Sequence, residues 1–340
     1  MKTNIAINGF GRIGRLTLRA FFERNIEKFN IVAVNDLGNI KSNIHLLKYD
    51  SVHGTFPLSI KDNNDSIEIE NNKIHFLKEA NPINLPWKKL GIDIVIESTG
   101  VFTDREKAEM HLSAGAKRVL ISAPSKNPDI TVVFGIKHKK IKDNHKMIND
   151  KHKIISNGSC TTNCLAPVAF LMDNSVGIES GYMTTVHSVT GDQNTIDTLH
   201  KDLRRARNSL VSIIPTSTGA ARAMGEVLPN LKGKIDGSAI RVPTPNVSLV
   251  DFKFYSRKPT TSAELKNIFL KAENHELKSI IQTVSDPMVS GDFNHNPHSS
   301  IIDLSEVNVI KDNFCRVLSW YDNEWGFSNR LLDVIQDIIQ

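Results

Sequence analysis

The stretch Asn4–Asn25, NIAINGFGRIGRLTLRAFFERN, decides the fold of the first half of the chain. A short apolar run ends at Asn8. Gly9, Gly11 and Gly14 follow in G-x-G-x-x-G spacing, and Leu16, Leu18, Ala20, Phe21 and Phe22 then supply the buried face of a helix. Strand, glycine turn and helix in this order form the layout of a dinucleotide site. One glycine makes the tight turn, one lets backbone approach a pyrophosphate, and one lets the helix pack on the sheet. The start of the helix offers unpaired N–H groups and a partial positive charge to the phosphates. A second apolar run, FNIVAVND, ends at Asp36, about twenty residues beyond the last glycine, where a carboxylate can bind a ribose 2′-hydroxyl. The same carboxylate would repel a 2′-phosphate, so NAD is favoured and NADP stays possible.

Further apolar runs extend the pattern: IDIVIES before Thr99-Gly100, KRVLIS ending at Ser122, ITVVFG, and KIIS ending at Ser156. Helical stretches such as TDREKAEMHLSAG separate some of them. Buried strands alternating with helices predict an α/β fold, a Rossmann-type doubly wound parallel sheet whose ligands bind beyond the carboxyl ends of the strands. SIEIENNKIHFL reads as a hairpin insertion turning at Asn71-Asn72. After Ser156 the strand-like runs GYMTTVHS, GSAIRVP, SLVDFKFYS, SIIQTV and CRVLSWYD predict a second, α+β domain with a mostly antiparallel sheet.

The 340 residues are enough for two cores, and a hydrophobic content of 40% with 23% charged residues is that of a globular protein. The net charge is +5, and the densest basic cluster, Lys137–Lys146, has no interleaved aromatics, so nucleic acid is not an expected partner. Three cysteines make no disulfide framework, no apolar leader opens the sequence, and no window approaches a membrane span. The expectation is a cytoplasmic protein with no membrane partner.

One of those cysteines, Cys160, lies in SNGSCTTNC among small hydroxyl-bearing residues, on the turn from KIIS into a helical run. A thiol at a helix N-terminus is expected to have a lowered pKa. Cys164, one helical turn on, and Cys315, inside NFCRVLSW, read as buried and structural. His187 leaves an apolar strand for a polar loop and is the candidate base. The spacings of these residues do not match a zinc site, so no metal is expected.

The segments INGFGRIGR, SNGSCTTNCLAP, HSVTGDQ, HKDLRRAR, PTSTGAA, RVPTPNVS and SWYDNEWGFSNR occur in this order. On these motifs the whole chain resembles the phosphorylating glyceraldehyde-3-phosphate dehydrogenases, and HLLKYDSVHGTF and DFNHNPHSS resemble their bacterial members. The resemblance implies a dinucleotide-binding domain over residues 1–158, a catalytic domain over 159–322 and a C-terminal helix, 323–340, packed back on the first domain. It makes Cys160 the nucleophile and His187 its base. It puts the substrate phosphate on Thr190 and Arg241 with Arg205 nearby, and inorganic phosphate on Ser159, Thr161, Thr218 and Gly219. The cofactor contacts become Arg12, Ile13, Asp36, Ser122 and Asn323 beside the three glycines. It also implies a homotetramer, with residues from Gly191 to about Ser212 between subunits.

Several positions depart from the family pattern. Gly158 replaces an alanine, Val189 an aromatic, Ala80 an arginine near the adenosine, and Thr198-Leu199 a Leu-Pro pair of NAD-preferring members. The last two weaken the case for strict NAD use. Two rival readings are an erythrose-4-phosphate dehydrogenase and, outside enzymes, a catalytically silent cofactor-binding or interaction protein.

Overall fold

The computed structural model describes residues 2–136 and 148–340; the basic cluster Lys137–Lys146 lies outside them. The described residues divide into two compact units, one of residues 2–132, 148–158 and 328–340 and one of residues 133–136 and 159–327.

The first unit holds a nine-stranded sheet. Its central strand, Thr3–Asn8, pairs in parallel with Phe29–Asn35 on one side and Ile94–Glu97 on the other. The chain first builds outward from Phe29–Asn35, then returns across the central strand to Ile94–Glu97, Arg118–Ile121, Ile154–Ser156 and Ile130–Thr131. That reversal creates a crevice at the strand tips, between Asn8 and Glu97, where open α/β sheets bind ligands. Seven of the strands run parallel, and their apolar side chains, among them Ile5, Ile7, Val95 and Leu120, are fully buried.

Two expected elements differ in detail. The hairpin Ser66–Ile69/Asn72–Leu77 turns on Glu70 and Asn71, at φ +48° and +65°, so Asn72 already begins the second strand. A two-residue turn with both central φ values positive matches the twist of the flanking strands. In ITVVFG only Ile130–Thr131 joins the sheet, and the apolar Val132 and Val133 are buried just beyond its end.

The glycine turn is sterically determined. A Cβ on Gly9, where φ is +90°, would lie 2.6 Å from the Thr99 nitrogen, and a Cβ on Gly14 would lie 2.2 Å from the Gly9 oxygen. Both positions therefore exclude any side chain. Gly11 differs: a Cβ there would meet nothing within 4 Å. The helix it precedes, Arg12–Glu23, has no side-chain cap on its first N–H groups.

The second unit is built on one eight-stranded sheet in the order Ile214–Ser217, Ile235–Arg241, Ile178–His187, Ser248–Ser256, Phe314–Tyr321, Ser300–Asp303, Ile281–Val284, with Asn308–Ile310 also on Phe314–Tyr321. Pairing is antiparallel except for two parallel contacts, Ile178–His187 with Ile235–Arg241 and Ile281–Val284 with Ser300–Asp303. Phe252 and Phe254 on Ser248–Ser256 and Cys315 and Val317 on Phe314–Tyr321 share a core with the helices Cys160–Ser175, Ala220–Val227 and Ser262–Asn274. Leu165, Val168 and Met172 of the first helix, Met224 of the second and Phe269 of the third fill it. Burying each such side chain is worth about 1.5–3 kcal/mol, which keeps the Cys160 helix rigidly seated.

Candidate active site and cofactor crevice

Cys160 opens the helix Cys160–Ser175. Before it, Gly158 sits at φ +63°, a conformation that disfavours the alanine common in the resembling family. Ser159 is the N-cap, its Oγ accepting from the Thr162 N–H at 3.1 Å and lying 2.8 Å from Thr162 Oγ1. Cys160 is half-buried, whereas Cys164 and Cys315 are fully buried. Cys164 Sγ packs 3.4 Å from Ser319 Oγ, and burial pushes its thiol up to about 12.

His187 ends the strand Ile178–His187. The parallel register of that strand with Ile235–Arg241 places Arg241 directly opposite it. His187 Nε2 lies 3.4 Å from Cys160 Sγ. Its Nδ1 is 2.7 Å from the Ser188 carbonyl oxygen and 2.9 Å from Arg241 Nη1. The shorter of the two Nδ1 contacts sets the hydrogens, and the Arg241–Nδ1 approach is then not a hydrogen bond, because a guanidinium can only donate. The carbonyl can only accept, so Nδ1 carries the proton and donates to it, while Arg241 Nη1 donates to the same carbonyl and to Thr190 Oγ1, each at 3.1 Å. This tautomer leaves the Nε2 lone pair facing the thiol.

The resting charge state differs from the expectation of a thiol activated by the helix terminus. Burial pushes the Cys160 thiol up, and the Arg241 charge and the Thr161 N–H pull it back only in part. Burial, aided by the Arg241 charge, pushes His187 down to about 3. Both shifts favour the uncharged forms, a thiol on Cys160 and a neutral imidazole on His187.

Thr190, Arg205 and Arg241 converge with Asp192, which the sequence reading did not single out. Thr190 Oγ1 donates to Asp192 Oδ1, and Arg205 Nη1 donates to Asp192 Oδ2 at 2.5 Å. Arg205 Nε also donates to Thr216 Oγ1 at 3.0 Å. The Arg241 Nε–H is buried without a partner, a charged donor available to an anion. The resemblance makes Thr161 a phosphate ligand. It is buried, with Oγ1 2.8 Å from the Tyr321 hydroxyl, which also meets Thr185 Oγ1 at 2.9 Å. Thr218 Oγ1 accepts from the Ala220 N–H at 3.2 Å, and Gly219 precedes the helix Ala220–Val227. Asn323 is buried, its Oδ1 accepting from Ser188 Oγ at 2.9 Å and Ser248 Oγ at 2.8 Å, which fixes the orientation of its amide.

In the first unit, a crevice of about 440 Å³ is lined by Asn8, Gly9, Gly11, Asp36, Thr99 and Phe102, among others. Asp36 Oδ2 accepts from the Phe10 N–H at 2.9 Å and Oδ1 from the Gly38 N–H at 2.8 Å. Oδ1 also accepts from Asn43 Nδ2 at 3.2 Å, so it is Oδ2 that keeps lone-pair capacity for a ribose hydroxyl. Arg12 and Ile13 form the first turn of the helix after the glycines, and the Arg12 side chain pairs with Asp50. Backbone N–H bonds and Arg12 hold the Asp50 carboxyl at about 2 despite its burial. Gly14 packs under the turn, and the Ser122 N–H donates to the Glu97 carbonyl at 2.9 Å. The uncapped helix start, the two obligatory glycines and the open side of Gly11 together fit a pyrophosphate. Sequence reasoning expected Thr99 at this edge but missed Asn8 and Asn35 as crevice residues; their polarity at the tips of apolar strands was the available signal. Among the described residues, no group of three or more His, Cys, Asp and Glu side chains is gathered to hold a metal.

Comparison with known proteins places this geometry in a family. Residues 3–105 match the family model "Glyceraldehyde 3-phosphate dehydrogenase, NAD binding domain", and residues 159–323 match "Glyceraldehyde 3-phosphate dehydrogenase, C-terminal domain". The chain is 52% identical over 333 residues to a glyceraldehyde-3-phosphate dehydrogenase of Xanthobacter flavus, covering 98% of this chain and 97% of that protein. It is 50% identical over 335 residues to one from Zymomonas mobilis, again covering 98% and 97%. To glyceraldehyde-3-phosphate dehydrogenase 2 of Staphylococcus aureus it is 48% identical over 338 residues, covering 99% and 96%. With both domain models matched and half of the residues shared along nearly its whole length, the chain belongs to the glyceraldehyde-3-phosphate dehydrogenase family.

Proposed function

We propose that the chain is an NAD-dependent, phosphorylating glyceraldehyde-3-phosphate dehydrogenase, forming 1,3-bisphosphoglycerate through a thioester on Cys160. The observation that carries this reading is the 3.4 Å approach of His187 Nε2 to Cys160 Sγ, with the imidazole in the tautomer that accepts a proton. As Sγ bonds to the aldehyde carbon, its proton passes to Nε2, and the resulting imidazolium stabilises the oxygen of the hemithioacetal. NAD, when bound at the glycine turn and Asp36, supplies the hydride acceptor for the oxidation. A phosphate oxygen then attacks the thioester carbon, the C–S bond breaks, and Sγ leaves as the thiolate to be reprotonated. Throughout, Arg241, Thr190 and Arg205 hold the substrate phosphate, and Ser159, Thr161, Thr218 and Gly219 hold inorganic phosphate.

Residues 1–158 serve as the dinucleotide-binding domain and 159–322 as the catalytic domain, with 323–340 as the C-terminal helix. The enzyme works in the cytoplasm. Among the described residues no helix is long and apolar enough to cross a membrane. Leu199 is 99% and Leu203 82% exposed, beside the exposed Ile196, Val211 and Ile213. Such an apolar surface is expected to be covered, and we assign its cover to further copies of the chain in a homotetramer, which sedimentation analysis can test. For the activity, Cys160→Ser should keep NAD binding and abolish turnover. Oxidation of the aldehyde by that variant at the wild-type rate would overturn the reading.

A further inference from the structure

Behind the cofactor crevice lies a chain of buried polar groups that the mechanism does not use. Trp87, Asn8, Glu97 and His111 are all almost fully buried. At one end the Trp87 indole N–H donates to His111 Nδ1 at 3.0 Å. An indole nitrogen can only donate, so Nδ1 is bare and Nε2 carries the hydrogen. Nε2 lies 3.1 Å from Glu97 Oε2 and therefore donates to it.

At the other end the backbone of Glu79 fixes Asn35. The Glu79 N–H donates to Asn35 Oδ1, and Asn35 Nδ2 donates to the Glu79 carbonyl, both at 2.9 Å. Asn35 Nδ2 also donates to Asn8 Oδ1 at 2.7 Å, so Asn8 must turn its own Nδ2 to Glu97 Oε2, 2.6 Å away. Glu97 Oε1 accepts from the Thr99 N–H at 2.8 Å and from the Thr99 hydroxyl. Thr99 Oγ1 in turn accepts from the Val101 N–H at 3.0 Å.

Both ends are anchored by groups whose hydrogen-bonding sense cannot reverse, and every group facing Glu97 is a donor. Glu97 thus accepts from three groups that can only donate here, Asn8 Nδ2, His111 Nε2 and the Thr99 N–H, and from the Thr99 hydroxyl. Asn8, Asn35, Glu79, Thr99 and Val101 line the crevice, whereas Glu97, His111 and Trp87 do not.

We infer that Glu97 and His111 are positioning residues for the dinucleotide. They act from behind the crevice wall by locking Asn8, Asn35 and the Thr99–Val101 lip into the shape that receives the adenosine end. The inference rests on the reading of this crevice as the cofactor site. It also identifies the most damaging conservative change. Glu97→Gln must set an NH₂ group against a donor in either orientation, although its size is unchanged.

Isothermal titration calorimetry of NAD binding to the full-length apo protein tests this, alongside an NMR measurement of the His111 ring nitrogens. Glu97→Gln and His111→Leu should each raise the Kd for NAD at least tenfold. His111→Gln, whose amide can accept from Trp87 and donate to Glu97, should stay within about threefold of wild type. The KM for NAD should follow the Kd, while kcat at saturating NAD and the KM for the aldehyde stay within about twofold. In the wild-type apo protein His111 should show a bare Nδ1 and a protonated Nε2. An Nδ1–H tautomer would overturn the inference even if neither variant folded. So would wild-type NAD affinity in a folded Glu97→Gln or His111→Leu variant while an Asp36→Ala control binds NAD weakly. Wild-type affinity in Asp36→Ala as well would overturn the crevice reading instead.

Discussion

Replacing Arg241 with glutamine separates two jobs that the structure gives to one side chain. Its Nη1 donates to Thr190 Oγ1 and to the Ser188 carbonyl, and its buried Nε–H has no partner in the protein. A hydrogen bond to a charged group contributes about 1.5–3 kcal/mol. Losing it on the substrate phosphate should raise the KM for glyceraldehyde 3-phosphate about 10- to 150-fold. Unphosphorylated glyceraldehyde makes no such bond, so its kcat/KM should change much less, and the preference of wild type for the phosphorylated substrate should largely collapse. The second job is electrostatic. A neighbouring like charge disfavours the protonated imidazole, so the variant should raise His187 from about 3. Burial, the larger cause, remains and should keep it below the ordinary histidine value. Steady-state kinetics with both aldehydes and an NMR titration of His187 measure the two effects. An equal loss on both aldehydes, or an unmoved His187, would refute this division of labour.

Asp36→Ala should weaken NAD binding and lower the KM for NADP relative to NAD, because the carboxylate that binds a ribose hydroxyl also repels a 2′-phosphate; kinetics with the two cofactors side by side would show it. Tyr321→Phe removes the hydroxyl that joins Thr161 and Thr185. It should cost about 1–3 kcal/mol of stability, read by denaturant unfolding with cofactor absent. His187 also makes stability depend on pH. Its pKa is depressed in the fold, from 6.5 to about 3, so its contribution is fully present above pH 6.5 and is lost as pH falls toward 3. His187→Asn should flatten the acid limb of the stability curve across that window, and an unchanged limb would contradict the burial assigned to the imidazole.

The sequence conveyed the parts of this molecule that depend on local chemistry. The glycines at Gly9 and Gly14 could be read because backbone sterics require them, and Asp36 because it directly follows the strand Phe29–Asn35. The N-terminal position of Cys160 on its helix followed from the small residues before it. What could not be read was whatever depends on register or burial. The parallel pairing that puts Arg241 opposite His187 joins strands far apart in sequence. The thiol's raised pKa follows from desolvation by residues scattered along the second unit, which a helix-terminus argument does not count. Asp192 carries no local signal, and only the fold sets Arg205 and Thr190 on its two oxygens. Nothing local marks the network of Glu97 and His111, which closes only when the strand ends at Asn8, Asn35 and Glu97 meet the helix that carries His111.

The central claim is that Cys160 carries the acyl group, and trapping that group tests it most directly. Enzyme mixed with glyceraldehyde 3-phosphate and NAD, with phosphate withheld, should release one burst of NADH and stop, because the thioester then has no phosphate to attack it. Mass spectrometry of the digested protein should find the 3-phosphoglyceroyl adduct on the peptide bearing Cys160, and added phosphate should remove it. An adduct on another residue, or steady turnover with no adduct at all, would contradict the account.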